Sequence, residues 1–236
     1  MKKLIYLVSL LLAVMFLSEF AVGSILPISE GQIVKTKIGS GLVSPLVGGI
    51  DLMVNGTALD HSTPGFGDGV WAGCYLADIQ DSSGVQIAVG YKSFCMNALL
   101  DPPLSYTNAT AVAATPAALE WMWGTYYDEV ITDAVKAAAF QLAYWEIVHE
   151  ISGTYDVSSG SFYISNLVTT SSHNNGATLA SLTSYANTYL DNSTWTDKAE
   201  LLLLTATGCQ PFIVEIPEPA TLALLGLGGL LLRRKK

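Results

Sequence analysis

Hydrophobic and polar positions alternate along this chain at two periods, and the helical period is clearest between Thr132 and Glu150, TDAVKAAAFQLAYWEIVHE. No Gly or Pro interrupts that stretch. Thr132 or Asp133 is placed to cap its start, and Ser152-Gly153 follow as a stop signal. At about 100° per residue, Ala134, Ala137, Ala138, Gln141, Trp145 and Val148 share one arc, with Lys136, Glu146 and Glu150 on the other side. Gln141 is the polar exception on that arc. An amide buried without a partner costs about 2–7 kcal/mol, so Gln141 is either hydrogen-bonded in the core or chemically converted.

Around this helix the pattern is mostly of period two. Ser24 to Asp60 predicts short strands, for instance in GQIVKTKIG, and His61 to Gly69 is turn-rich. VWAGCYLADIQ and GVQIAVGYKSFCMNA read as two strands joined by the Asp81-Ser82-Ser83-Gly84 turn, and Asp101-Pro102-Pro103 breaks the chain. Pro116 to Tyr127 opens a helical region, Ser158 to Asn175 is polar and turn-like, and Ala177 to Leu190 has helical spacing. AELLLLTATGCQPFIVEI returns to strand character. The expected class is α+β: a β-rich body, sandwich or barrel-like, with a central helical insert.

The two ends of the chain follow different rules. Lys2-Lys3, the apolar run Leu4 to Leu17 and the small residues Ala21-Val22-Gly23 make residues 1–23 a secretory signal peptide, cleaved before Ser24. At the other end, Pro217-Glu218-Pro219 precedes the apolar run Ala220 to Leu232 and the basic cluster Arg233-Arg234-Lys235-Lys236. Such a run of about 20 Å is short for a hydrocarbon core of about 30 Å, and the basic cluster would hold its end on the cytoplasmic side. In that order these elements resemble the PEP-CTERM sorting signal of bacteria that make extracellular polysaccharide. The resemblance implies a short transmembrane helix in residues 217–236. It also implies a membrane transpeptidase of the exosortase type as partner, transient residence in the inner membrane, and a final place at the cell surface or in the extracellular matrix. The body, residues 24–216, is then extracellular.

Composition agrees. Six of the 11 basic residues lie in the end segments, whereas of the 20 acidic residues only Glu19 and Glu218 do. The body thus lacks the basic footprint that nucleic acid requires.

Cys95, in YKSFCMNA, precedes Gln141 by 46 residues. Phe94-Cys95 together with FQLAYWEI, Phe140 to Ile147, resembles the bacterial surface thioester domain, in which an aromatic-Cys motif precedes a Gln-x-x-aromatic-Trp helix. The likeness spans residues 40–219, with these two motifs carrying its weight. It implies an internal thioester between the Cys95 sulfur and the Gln141 side-chain carbonyl, formed with loss of ammonia. It implies no cofactor. A thioester is a stored electrophile that an apolar surround protects from water, and Phe94, Phe140, Tyr144 and Trp145 are the candidate shields. A surface or matrix nucleophile, a protein amine or a polysaccharide hydroxyl, would then be acylated once, so the chain would be a covalent adhesive and not an enzyme. Thioester adhesins are typically anchored to Gram-positive walls, and this chain's different tail leaves the target open. On the residues alone, the same pattern fits a non-covalent structural or carbohydrate-binding matrix protein with Gln141 as a buried amide.

Other chemistry is sparsely represented. In an exported chain Cys74 and Cys209 are candidates for a disulfide, or else two small buried hydrophobes. A cysteine hydrolase would need His61, His149 or His173 beside Cys95. Asp128, Glu129 and Asp133 match no EF-hand spacing and read as solvation of a helix start, so no metal is expected. Trp121, Trp123, Tyr126 and Tyr127 form an aromatic cluster suited to core packing, to shielding or to stacking on sugars.

Overall fold

The computed structural model describes residues 26–216 apart from 39–45, 61, 63–68, 101–102 and 115. The expected signal peptide, residues 217–236 of the sorting segment and most of the loop at 61–69 lie outside the described residues. Among the described residues, no helix is long and apolar enough to cross a membrane.

Among the described residues, ten strands form two antiparallel sheets. The first holds six strands in the order β10 (Phe212–Ile216), β9 (Glu200–Thr205), β7 (Thr107–Ala113), β1 (Ile33–Ile38), β5 (Tyr75–Asp81) and β6 (Gln86–Ser93). In the second, β2 (Leu46–Val54) pairs with β3 (Thr57–Leu59), β4 (Val70–Gly73) and β8 (Phe162–Leu167). The described residues also hold three α-helices: α1 (Ala118–Val130), α2 (Ala134–His149) and α3 (Leu179–Leu190). The α+β expectation is met at the level of a β-rich body with helices, but the described strands form no closed barrel. The helices α1 and α2 follow one another between β7 and β8, and α3 comes after β8.

Alternation along the first sheet explains its burial. Leu201, Leu203 and Ile213 face a large core shared with the helices, whereas Leu202, Leu204 and Val214 face a smaller core closed by Leu26 and Ile28. The stretch VWAGCYLADIQ, expected as one strand, is two. At Gly73 (φ 143°) the chain leaves β4, which pairs with β2, and enters β5, which pairs with β1 and β6. Glycine tolerates that backbone where a side chain would not.

Of the two residues expected to cap α2, Asp133 does so. The Asp133 carboxylate accepts the Val135 and Lys136 amides at 2.9 Å and starts α2, and Thr178 starts α3 with a capping box. The expected polar side of α2 is not polar throughout. Every residue from Ala137 to Ile147 is buried, including Glu146, because α2 runs between β2, β4 and the other two helices. Its small residues Ala137, Ala138 and Ala139 permit that close packing.

Candidate functional site

The two edges of the six-stranded sheet converge at Cys95. The Met96 amide donates to the Pro211 carbonyl at 3.0 Å and the Ile213 amide to the Phe94 carbonyl at 3.2 Å, so Cys95 faces Phe212 across an isolated bridge. Nearer the other end of β10, side chains span the gap between the edges. Ser93 Oγ donates to the Ile213 carbonyl at 2.5 Å, and the Glu215 amide donates to Tyr91 Oη at 2.9 Å.

Successive residues of a strand direct their main-chain groups to opposite sides. Since Phe94 and Met96 bond towards β10, the amide and carbonyl of Cys95 point away from it. That side would have been occupied by β5: Tyr75 stands opposite Ser93, and two residues further on Gly73 would stand opposite Cys95. Gly73 instead belongs to the second sheet, opposite Leu46. Gln141 takes the empty position. The Cys95 amide donates to Gln141 Oε1 at 2.8 Å, and Gln141 Nε2 donates to the Cys95 carbonyl at 2.6 Å. A side-chain amide thus pairs with a strand edge as a neighbouring peptide would. Trp145, one helical turn beyond Gln141, adds a second donor to the Cys95 carbonyl from Nε1 at 3.0 Å.

The surround is closed to solvent. Cys95 and Gln141 are each 0 % exposed. Of the four expected shields, all are buried: Phe140 packs on Phe94 with ring centroids 4.9 Å apart, and Trp145 bonds directly to Cys95. Tyr144 Oη is buried without a partner. The Cys95 side chain itself packs with Ile38, Tyr75 and Phe212, three residues that sequence reasoning missed. Strand alternation carried a signal for them, since Phe94 and Cys95 must face opposite sides. Burial pushes the Cys95 thiol well above its ordinary range, with the nearby Cys74 adding to the effect.

The remaining candidates fall elsewhere. No disulfide joins Cys74 to Cys209: Cys74 is buried in the large core and Cys209 packs against the small one. His149 stacks on Phe162 and His173 lies against Trp71, and neither hydrogen-bonds Cys95; His61 is outside the described residues. Asp133 is a helix cap, Glu129 pairs with Lys136 at 2.5 Å, and Asp128 is exposed. Among the described residues no three His, Cys, Asp or Glu side chains gather to hold a metal. Trp123 and Tyr127 stack at 4.3 Å inside the core, and Trp123 Nε1 donates to Glu215 at 3.0 Å, so the aromatic cluster is largely packing. Trp121 is exposed. The sorting residues Pro217, Glu218, Pro219, Arg233, Arg234, Lys235 and Lys236 lie outside the described residues.

Comparison with known proteins bears on that last segment. Residues 215–236 match the family model of the PEP-CTERM protein-sorting motif. No curated protein and no solved structure matches the chain, so the resemblance to the thioester domain rests on Cys95, Gln141 and their neighbours alone. The chain therefore carries a PEP-CTERM sorting motif, which implies an exported protein with an exosortase-type processing partner and a place at the cell surface or outside the cell.

Proposed function

We propose that this exported protein carries an internal thioester between Cys95 and Gln141 and uses it once, to attach itself covalently to a nucleophile on a surface or matrix partner. The observation that carries the reading is the pairing of the Gln141 amide with both main-chain groups of Cys95 in a fully buried site. Two motifs 46 residues apart in sequence meet in hydrogen-bond contact at Cys95, as an internal thioester would need.

In the proposed step the Cys95 sulfur attacks the Gln141 side-chain carbonyl carbon. An S–C bond forms, the C–Nε2 bond breaks, and the thiol proton leaves with the nitrogen as ammonia. The Cys95 amide, already donating to Oε1, is aimed where negative charge develops. Burial favours the protonated thiol at rest, so the proton must leave the sulfur as the S–C bond forms. Acyl transfer to an incoming amine or hydroxyl later leaves Gln141 as an amide or ester and returns the thiol. The exosortase-type partner delivers the body, and a protein amine or polysaccharide hydroxyl in the matrix is the acceptor.

The same hydrogen bonds satisfy an unreacted glutamine, which supports the alternative, a non-covalent matrix module. Isotope-labelled methylamine separates the two. The thioester reading predicts one equivalent bound at Gln141 with one thiol released at Cys95, and none in Cys95→Ala. Recovery of unlabelled glutamine at 141 from wild type and variant alike would favour the non-covalent module.

A further inference from the structure

We infer that Trp145 is a positioning residue for the Cys95–Gln141 thioester, its indole N–H being the reserve donor that holds the Cys95 carbonyl once Gln141 has lost its nitrogen. The inference rests on the thioester reading and adds a role that shielding does not require.

It follows from counting partners before and after ammonia leaves. In the unreacted site the Cys95 carbonyl accepts from Gln141 Nε2 at 2.6 Å and from Trp145 Nε1 at 3.0 Å, while the Cys95 amide donates to Gln141 Oε1 at 2.8 Å. Conversion of the side-chain amide to the acyl-sulfur form removes Nε2 and retains Oε1. The Cys95 amide therefore keeps its acceptor. The carbonyl loses one of two donors, in a residue that is 0 % exposed and beyond the reach of solvent. Without Trp145 the mature site would contain a buried orphan carbonyl, which main chains in folded proteins avoid.

The placement is built into α2. Gln141 and Trp145 are four residues apart, so they lie one above the other on the same helix face and reach the same carbonyl. Trp145 is fixed in turn by packing against Phe162, with ring centroids 6.5 Å apart. A phenylalanine or leucine at this position would exclude water equally well and could not donate.

The test is a titration of the full-length chain, purified in mild detergent without amines, with ammonium chloride at constant pH. Intact mass reports the fraction of thioester, approached from both directions. Ammonia restores Nε2, and in Trp145→Phe it also restores the only donor to the Cys95 carbonyl. The ammonia concentration at half-conversion should fall about tenfold relative to wild type, the effect of one buried unsatisfied group. If Trp145→Phe does not fold, 3-benzothienylalanine at position 145 keeps the ring shape and lacks the N–H, with the same expectation. Equal half-conversion points in a wild type and variant that both start light by one ammonia would overturn this role and leave the thioester standing. A wild type of full mass before any ammonium is added would overturn both.

Discussion

Gln141 pairs with Cys95 as though it were a residue of the adjacent strand, and the energetic consequence is local. Replacing it with leucine preserves bulk and removes both hydrogen bonds. Trp145 still covers the Cys95 carbonyl, so the group left unpaired is the Cys95 amide. Gln141→Leu, measured in a Cys95→Ala background where no thioester forms, should therefore destabilise by about 1–3 kcal/mol in urea denaturation. A neutral effect would mean that the pairing contributes nothing to the unreacted fold. The sequence exposed this residue well: one amide on an apolar arc had to find a partner. It could not show which atoms the partner would offer, because the vacancy beside Cys95 arises from a change of sheet 22 residues earlier, at Gly73.

At the level of elements, α2 is the most informative and also the most misread. Its limits and its Asp133 cap follow from the sequence, but Glu146 was expected on a polar side and lies buried. Glu146 Oε1 accepts the Asp156 amide at 2.7 Å and Oε2 has no partner. Burial raises its pKa from 4.5 to about 7, despite the hydrogen bond from the Asp156 amide, which acts the other way. A carboxyl whose folded pKa is raised stabilises while protonated, so its contribution is complete below about 4.5 and disappears as pH rises through about 7. Glu150, four residues on, does the reverse. Its hydrogen bonds, first among them the Ser152 amide, hold it at about 2, and its contribution is lost only as pH falls towards that value. Glu146→Gln should flatten the decline in melting temperature between pH 4.5 and 7 without altering the acid limb. An unchanged slope would contradict a buried, protonated Glu146.

Strands were legible where large side chains alternate and illegible elsewhere. β9 and β10 stand out in ELLLLT and FIVEI, whereas β7 buries only Ala109 and Ala111 and leaves no hydrophobic signal. β8 lies in a stretch read as turns; Phe162, Ile164 and Leu167 are its buried positions, spaced irregularly because the register shifts against β2. α1 carries a tight contact that propensity would not reveal. A Cβ on Gly124 would come within 2.7 Å of the Asp197 carbonyl, and the Ala199 amide donates to the Glu120 carbonyl at 3.0 Å. Gly124→Ala should therefore destabilise by about 1–3 kcal/mol by thermal unfolding, although alanine favours a helix by about 1 kcal/mol. A more stable variant would show that the segment at 197–199 yields.

At the scale of the molecule, the site lies where an open sheet nearly closes. The edges β6 and β10 meet at Cys95 and Phe212, the helices cover one side, and Ile38, Tyr75 and Phe212 enclose the sulfur on the other. β10 then runs in sequence directly into the sorting motif, whose match begins at residue 215 within the strand. The strand that borders the proposed reactive cysteine is thus the one that joins the body to its sorting segment. The most direct test of the central claim is the intact mass of the chain purified without amines or reductant. The account predicts a wild type lighter than its sequence requires by one ammonia, with Cys95→Ala and Gln141→Ala each at full mass. A wild type in which hydrolysis had intervened would carry glutamate at 141. Full mass, with glutamine at 141 and a free thiol at Cys95, would contradict the thioester and leave a buried amide in a non-covalent surface module.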